Sequence, residues 1–437
     1  MRLMIAATTG LRTRTSLGIF IVAAVALDSS ARAEGGEQKP AAPAAQASPS
    51  EASPSNDECL GCHSNAVDRS NGRAIPAVSD TFPDSVHGQI NLNCIDCHAD
   101  LKDKDLPHTE KLAKPTCSEC HEDAAKAYDN SVHAVSRSKS SDSAAPWCSD
   151  CHGVHDIRSS KDPKSPTYHF NVPALCSKCH GDQAIINKAQ IKAGNVPAHF
   201  QDSIHGRALT KSGLLVAPNC ATCHGNHEIR RASDPKSRVN RANIPKTCGT
   251  CHEGILNVYE TSVHAAALRE GNPRAAVCVD CHTAHDTQEV SATFKMGLVK
   301  ECGTCHQESM RTFRDTFHGK VSTLGFTRAA TCADCHGAHD ILPKKDPNSL
   351  VSDQRRTSTC RKCHAGASDR FSRYDPHADA HNREHDPILY YITLAMKGLL
   401  VSVFAFFGLH TMLWLGRSLV TLRRLQTQGR RNGGDKA

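Results

Sequence analysis

The chain has 437 residues, 22% of them charged and only 5% aromatic, with a formal net charge of +7. That charge is uneven: residues 1–33 carry +3 and residues 417–437 carry +5, which leaves the stretch between them near −1. A nucleic-acid-binding surface is excluded on those grounds. The 22 cysteines, about 5% of the chain, also fall short of the density that marks a disulfide scaffold.

Arg12 and Arg14 precede an apolar run from Leu17 to Leu27 and an Ala31-Arg32-Ala33 site, the pattern of a secretory signal peptide over residues 1–33. The run is only about 11 residues, too short to cross a bilayer. Residues 34–56 form an Ala/Pro/Ser linker without the apolar content to fold.

The stretch 57–375 holds every cysteine, and all of them stand in C-x-x-C-H motifs, eleven in number. In order these are Cys59, Cys62 and His63; Cys94, Cys97 and His98; Cys117, Cys120 and His121; Cys148, Cys151 and His152; Cys176, Cys179 and His180; Cys220, Cys223 and His224; Cys248, Cys251 and His252; Cys278, Cys281 and His282; Cys302, Cys305 and His306; Cys332, Cys335 and His336; and Cys360, Cys363 and His364. The spacing is the attachment signature of c-type haem, in which two thiols add across the vinyl groups and the adjacent His becomes the proximal iron ligand. Zinc needs four ligands per ion and places no demand on the residue after the second Cys. Here that residue is always His, while the two residues inside each motif vary freely. Eleven covalently bound c-type haems, each with its iron, are therefore expected.

Around the motifs the chain repeats. A Ser/Thr-apolar-His element recurs at Ser85-Val86-His87, Ser131-Val132-His133, Ser203-Ile204-His205, Ser262-Val263-His264 and Thr316-Phe317-His318. Four motifs are followed three residues on by a second His, at His155, His227, His285 and His339, and after three of those comes an Asp-Pro stretch. The unit reads His, haem, usually His, loop, haem; five units hold ten haems, and the motif ending at His63 leads them. A six-coordinate haem takes a second axial ligand opposite its proximal His, and neutral imidazole supplies it. These nine repeated His are the expected distal ligands. A His three residues past its own motif cannot reach the far face of its own haem, so it is expected to ligate a neighbour. Two further distal ligands are expected among His108, His169, His199, His377, His381 and His385. Apart from those in the terminal hydrophobic segments, the methionines are only Met296 and Met310. Bis-His ligation, and with it low potential, should therefore dominate. The predicted fold is mainly α with extensive loops and little sheet, packed around porphyrins because so few aromatic side chains cannot build a core of this length.

Gly398 to Gly416 is 19 residues without a formal charge, about 28 Å as a helix and enough to cross a bilayer core. A juxtamembrane segment, 376–397, precedes this transmembrane helix, 398–416, and a basic tail, 417–437, follows it. The positive-inside bias puts that tail in the cytoplasm and the haem domain in the periplasm, single-pass on a bacterial inner membrane. His377, His381 and His385 stand at i, i+4 and i+8, which on a helix would share one face just outside the bilayer. They are candidates for ligating the last haems or for passing protons near a quinone, beside the plainer reading of a polar helix. His410 lies at membrane depth, where an ionisable residue is a functional candidate: a b-type haem ligand or a hydrogen-bonding partner for a neighbouring helix.

The doubled C-x-x-C-H pattern, with interleaved Ser-Val-His-Gly and Cys-His-Gly-x-His, resembles the membrane-anchored multihaem c-type cytochromes of bacterial respiratory chains. The segment from Asp375-Pro376-His377-Ala378-Asp379 to Phe406-Phe407-Gly408-Leu409-His410 is similar to the anchors of those that work beside a di-haem cytochrome b. The resemblance implies electron transport in anaerobic respiration, between the quinone pool and periplasmic cytochromes. It also implies a membrane cytochrome b or other quinone-linked subunit as partner, because one helix cannot build a b-haem quinol site. The rival reading is a multihaem reductase or oxidase of a small nitrogen or sulfur oxyanion. Such an enzyme needs an iron with an open sixth position, which some families mark with C-x-x-C-K. All eleven motifs here end in His, and the leading motif at Cys59–His63 is where an open iron would lie. No catalytic residue is assigned.

Overall fold

A computed structural model describes residues 53–433, apart from 64–66, 69–72, 75–77, 103, 107, 109–111, 140–143 and 193. The expected signal peptide and nearly all of the linker lie outside the described residues. What is described is mainly helical. Short helices of nine residues or fewer are strung through turns, with one 14-residue helix, Ala292–Cys305, and a 47-residue terminal helix, Pro387–Gly433. Among the described residues the sheet is one two-residue antiparallel pair, Val67–Asp68 with Arg73–Ala74.

The Ser/Thr-x-His element is a helix start. In the helix Ile204–Thr210 the buried Ser203 is the N-cap: its hydroxyl accepts the Gly206 N–H at 3.0 Å and donates to the Phe200 carbonyl at 2.7 Å. Ser85, Ser131, Ser262 and Thr316 likewise accept the N–H three residues on, at 2.9–3.1 Å. His133, His205, His264 and His318 therefore sit in the first turn of a helix, and His87 just before the short helix Gly88–Ile90, each aimed by a capping hydroxyl. At Gly206 an added Cβ would lie 1.8 Å from the Phe200 carbonyl oxygen, so the helix start presses on the preceding backbone.

The motif helices have caps of their own. Asp96, Asp150, Asp280 and Asp334, each just before the second Cys, accept the N–H of the residue preceding the first Cys at 2.6–2.8 Å, and Thr222 does so at 3.1 Å. The inner residues of the leading motif of every unit are thus not free to vary, as the sequence alone suggests; one of them closes the helix. After these helices the chain turns through Gly153, Gly225 and Gly337 at φ of 86–88°, and through Thr283 at 61°. That left-handed step ends the helix and carries the next His away from its own motif.

Consecutive units are sewn together by backbone. The N–H groups of Val86, Val132, Ile204 and Val263 donate at 2.7–2.9 Å to the carbonyls of Ile157, Ile229, Thr287 and Ile341, each two residues past the extra His of the following unit. The Asp-Pro loops are ordered by one repeated pattern. Asp162, Asp234 and Asp346 each accept the N–H two residues on at 2.8 Å, over buried Ser165, Ser237 and Ser349. The apolar core is thin. Its fully buried members are mostly small, with Leu209 and Val277 the largest below 2% exposure among the described residues.

At the membrane end the structure corrects the sequence reading. His377, His381 and His385 do not share a helical face, because residues 374–386 run as turns and the helix begins at Pro387. The side chains of Asp375, Asp379 and Asn382 take the N–H groups of His377, His381 and His385 at 2.8–3.0 Å, competing with helical bonding. The helix that contains 398–416 runs from Pro387 to Gly433. Within it, Pro387–Arg430 contains an 18-residue stretch of mean hydropathy 2.0 with no buried residue, long and apolar enough to cross a membrane.

Ser203→Ala should destabilise the loaded protein by about 1–2 kcal/mol through loss of the cap, whereas Ser203→Thr, which copies Thr316, should be near neutral. Denaturant unfolding followed by far-UV circular dichroism checks both.

Candidate haem-binding sites and the row they form

Each of the eleven motif His rings faces one other imidazole. The pairs are His63 with His108, His98 with His155, His121 with His87, His152 with His227, His180 with His133, His224 with His285, His252 with His205, His282 with His339, His306 with His264, His336 with His377, and His364 with His318. Ring centroids are 5.9–6.3 Å apart throughout, with interplanar angles from 6° to 53°. A metal held between two imidazole nitrogens at about 2 Å each spaces the centroids by roughly 6 Å. All nine repeated His take part, and His108 and His377 complete the set.

The pairing has a rule. The Ser/Thr-x-His imidazole faces the second motif of its own unit, as His205 faces His252. The extra His after a leading motif faces the leading motif of the unit before, as His227 faces His152 and His285 faces His224. Sequence spacing shows that these His belong together but not which two meet, and for the extra His the partners lie in different units.

A cavity of about 4350 Å³ runs past ten of the eleven motifs, from Cys59 to His336. Single small-molecule sites occupy roughly 300–1,000 Å³, so this is room for a series of cofactors. Besides the motifs its walls include apolar side chains such as Leu101, Val172, Ile244 and Phe313. Burial holds the imidazoles toward the neutral, ligating form: His133, beside His180, falls to about 4, and His98, His152, His155, His224 and His336 are also lowered by burial. A thiol pair, an adjacent imidazole, an opposed imidazole and an apolar slot are the residue set that c-type haem requires. Among the described residues no group of three or more His, Cys, Asp or Glu converges as a metal cage, so the motifs are not arranged as four-ligand zinc knuckles.

The motifs also touch one another in sequence order. The first thiols of successive motifs come within hydrogen-bond reach at Cys59 and Cys94, Cys117 and Cys148, Cys176 and Cys220, Cys248 and Cys278, and Cys302 and Cys332. In between, a second thiol neighbours the next first thiol: Cys97 and Cys117, Cys151 and Cys176, Cys223 and Cys248, Cys281 and Cys302, Cys335 and Cys360. The result is one unbroken row in which two kinds of junction alternate. The tightest junctions fall between the sequence units rather than inside them.

Of the other candidate ligands, His169 serves structure. Its Nε2 bonds the Ala217 carbonyl at 2.9 Å, and its Nδ1 lies 3.2 Å from Asn219, the cap of the helix Cys220–His224. His199 is exposed on the helix Val196–Asp202 near His285. His381 and His385 lean on Asp379 and Asp386 at 3.5 and 3.0 Å, and His410 is exposed on the terminal helix.

Residues 86–181, which hold four of the motifs, match the cytochrome c3 family. The chain is also similar to the multihaem cytochrome MtrA of Shewanella baltica (strain OS185), with 25% identity over 219 residues, 45% of this chain and 52% of that protein. It thus spans about half the length of the curated relative it matches. No solved structure matches it. Paired thiols, adjacent and opposed imidazoles and these likenesses fit a multihaem c-type cytochrome, and one C-terminal helix is long and apolar enough to cross a membrane.

Proposed function

We propose that this chain is a low-potential relay of eleven bis-histidine c-type haems. It carries electrons between the membrane quinone pool, through a membrane partner, and periplasmic redox proteins. The observation that carries the reading is the unbroken row: every motif adjoins the next, and every motif His has an opposed imidazole. Two imidazoles saturate an iron and leave no site for a small substrate, which suits one-electron exchange and tells against the reductase reading. The leading motif, where an open iron would lie, has His108 at 5.9 Å from His63. Bis-imidazole ligation does not raise the potential as methionine does, so the relay suits low-potential donors.

The membrane side of the proposal rests on the terminal helix and on the basic residues that follow its apolar stretch. Under the positive-inside bias these favour a haem domain outside the cytoplasmic membrane. Quinol oxidation releases two electrons and two protons, and each ferric haem accepts one electron. A single helix offers no enclosed quinol pocket, so a membrane partner of the cytochrome b kind takes the quinol and passes electrons on. The signal peptide over residues 1–33 and a periplasmic domain over 57–375 belong to the same reading.

Intact mass and pyridine haemochrome assay should give eleven haems per chain, and the double variant Cys220→Ala/Cys223→Ala should give ten. Membranes containing the chain and its partner should reduce the haems on addition of a menaquinol analogue, and a quinone-site inhibitor should abolish this. Fast reduction of the purified chain alone by the same quinol would falsify the partner requirement.

A further inference from the structure

Four times, the leading motif of one unit borrows its opposed imidazole from the unit that follows. The fifth unit, with its leading motif at Cys332–His336, has no successor. Its opposed imidazole is His377, at 6.2 Å between centroids, in the run of turns that leads into the helix Pro387–Gly433. The substitution goes further than the imidazole. At the four regular junctions a backbone bond ties the Ser/Thr-x-His element to the residue two past the borrowed His. Among the described residues Phe317 makes no such bond. The residue two past His377 is Asp379, and the Arg311 guanidinium grips its carboxylate with two N–H groups, one of them at 3.0 Å. Asp379 is only 13% exposed there, and the pair is a charge-assisted, two-pronged contact.

One turn of helix supplies both contacts. Thr312, next to Arg311 in the helix Gln307–Asp315, lies 3.1 Å by its hydroxyl from His377 Nδ1. That hydroxyl has the carbonyls of Glu308 and Ser309 as acceptors at 3.2 and 3.1 Å, so its lone pairs face His377. An Nδ1–H donated to Thr312 puts the Nε2 lone pair opposite His336, the tautomer a metal needs. The turns are closed from within, since Asp375 accepts the His377 N–H and Asp386 accepts the Asp379 N–H, each at 2.8 Å.

We propose that residues 375–386 form a ligand-bearing strap: His377 is the second axial ligand of the haem held by Cys332, Cys335 and His336, Thr312 fixes its ring, and the Arg311–Asp379 pair holds the strap in place. The proposal rests on the bis-imidazole reading given above. It makes the coordination of the tenth haem depend on the segment that enters the apolar helix, so displacing the strap opens that one iron.

The test uses the full-length, haem-loaded chain in detergent, with high-spin ferric haem quantified by electron paramagnetic resonance. His377→Gly should convert about one haem in eleven to high spin, and added imidazole should restore the low-spin state. His227→Gly, at a regular junction, is the control. If it yields a high-spin haem while His377→Gly stays wholly low-spin, the strap assignment is overturned and the ligation reading stands. If neither variant yields one, the ligation reading itself fails. Arg311→Glu should give a several-fold rise in high-spin signal over the parent, and the swap Arg311→Glu/Asp379→Arg should bring it back down. An unchanged spectrum in Arg311→Glu removes the positioning role of that pair. Thr312→Val should keep the haem low-spin but shift one component of the low-spin envelope, and an envelope identical to the parent's removes the role of Thr312.

Discussion

An imidazole opposite every motif histidine is the constraint on which the rest of this structure depends. A c-type attachment site can be written into five adjacent residues, but the opposed ring must come from elsewhere in the chain. The solution here is a helix start fixed by a buried hydroxyl for one haem of each unit and a borrowed histidine for the other. Everything between those points serves to aim them: the left-handed residue after the leading motifs, the Asp or Thr that closes the motif helix, and the backbone bonds that run from one unit to the next. Because the borrowed ring belongs to the following unit, the repeats are not beads on a string. Each is incomplete alone, and the row is one cooperative body.

That arrangement explains how a chain with so little aromatic content stays ordered. Its fully buried side chains are mainly serines, alanines and a few aliphatics, and the serines are buried because they cap helices or brace loops. The long cavity past the motifs takes the place of an ordinary side-chain core. Apolar porphyrin faces joined to the chain by covalent bonds would supply there what leucine and phenylalanine supply elsewhere.

Motif, repeat and helical class are legible in local spacing, and the need for a non-local partner for His155, His227, His285 and His339 follows from reach alone. Spacing leaves open which imidazole meets which, because those contacts join different units. Nor does it tell the inner Asp of the leading motifs from a freely varying residue, since only the folded helix brings that carboxylate back onto its own first turn. His169 has the look of a spare ligand in the sequence but braces Asn219 in the fold. The stretch from His377 to His385 has helical spacing, yet three acidic or amide side chains turn each segment back on its own N–H groups. Thr312 and Arg311 carry no signal in the sequence, since their partners lie 65 and 68 residues away.

On the proposed ligation, the backward loan of histidines also sets an order of events during synthesis. A chain grows from its N-terminus, so each leading haem emerges with its thiols and proximal ring but must wait for the next unit before its second face is closed. Completion travels toward the C-terminus as a wave one unit behind the growing end. The tenth haem is the last to be closed, when His377 appears just before the terminal helix. Until then a nascent chain carries one unfinished iron at its leading edge, and that iron moves forward by a unit each time another is added.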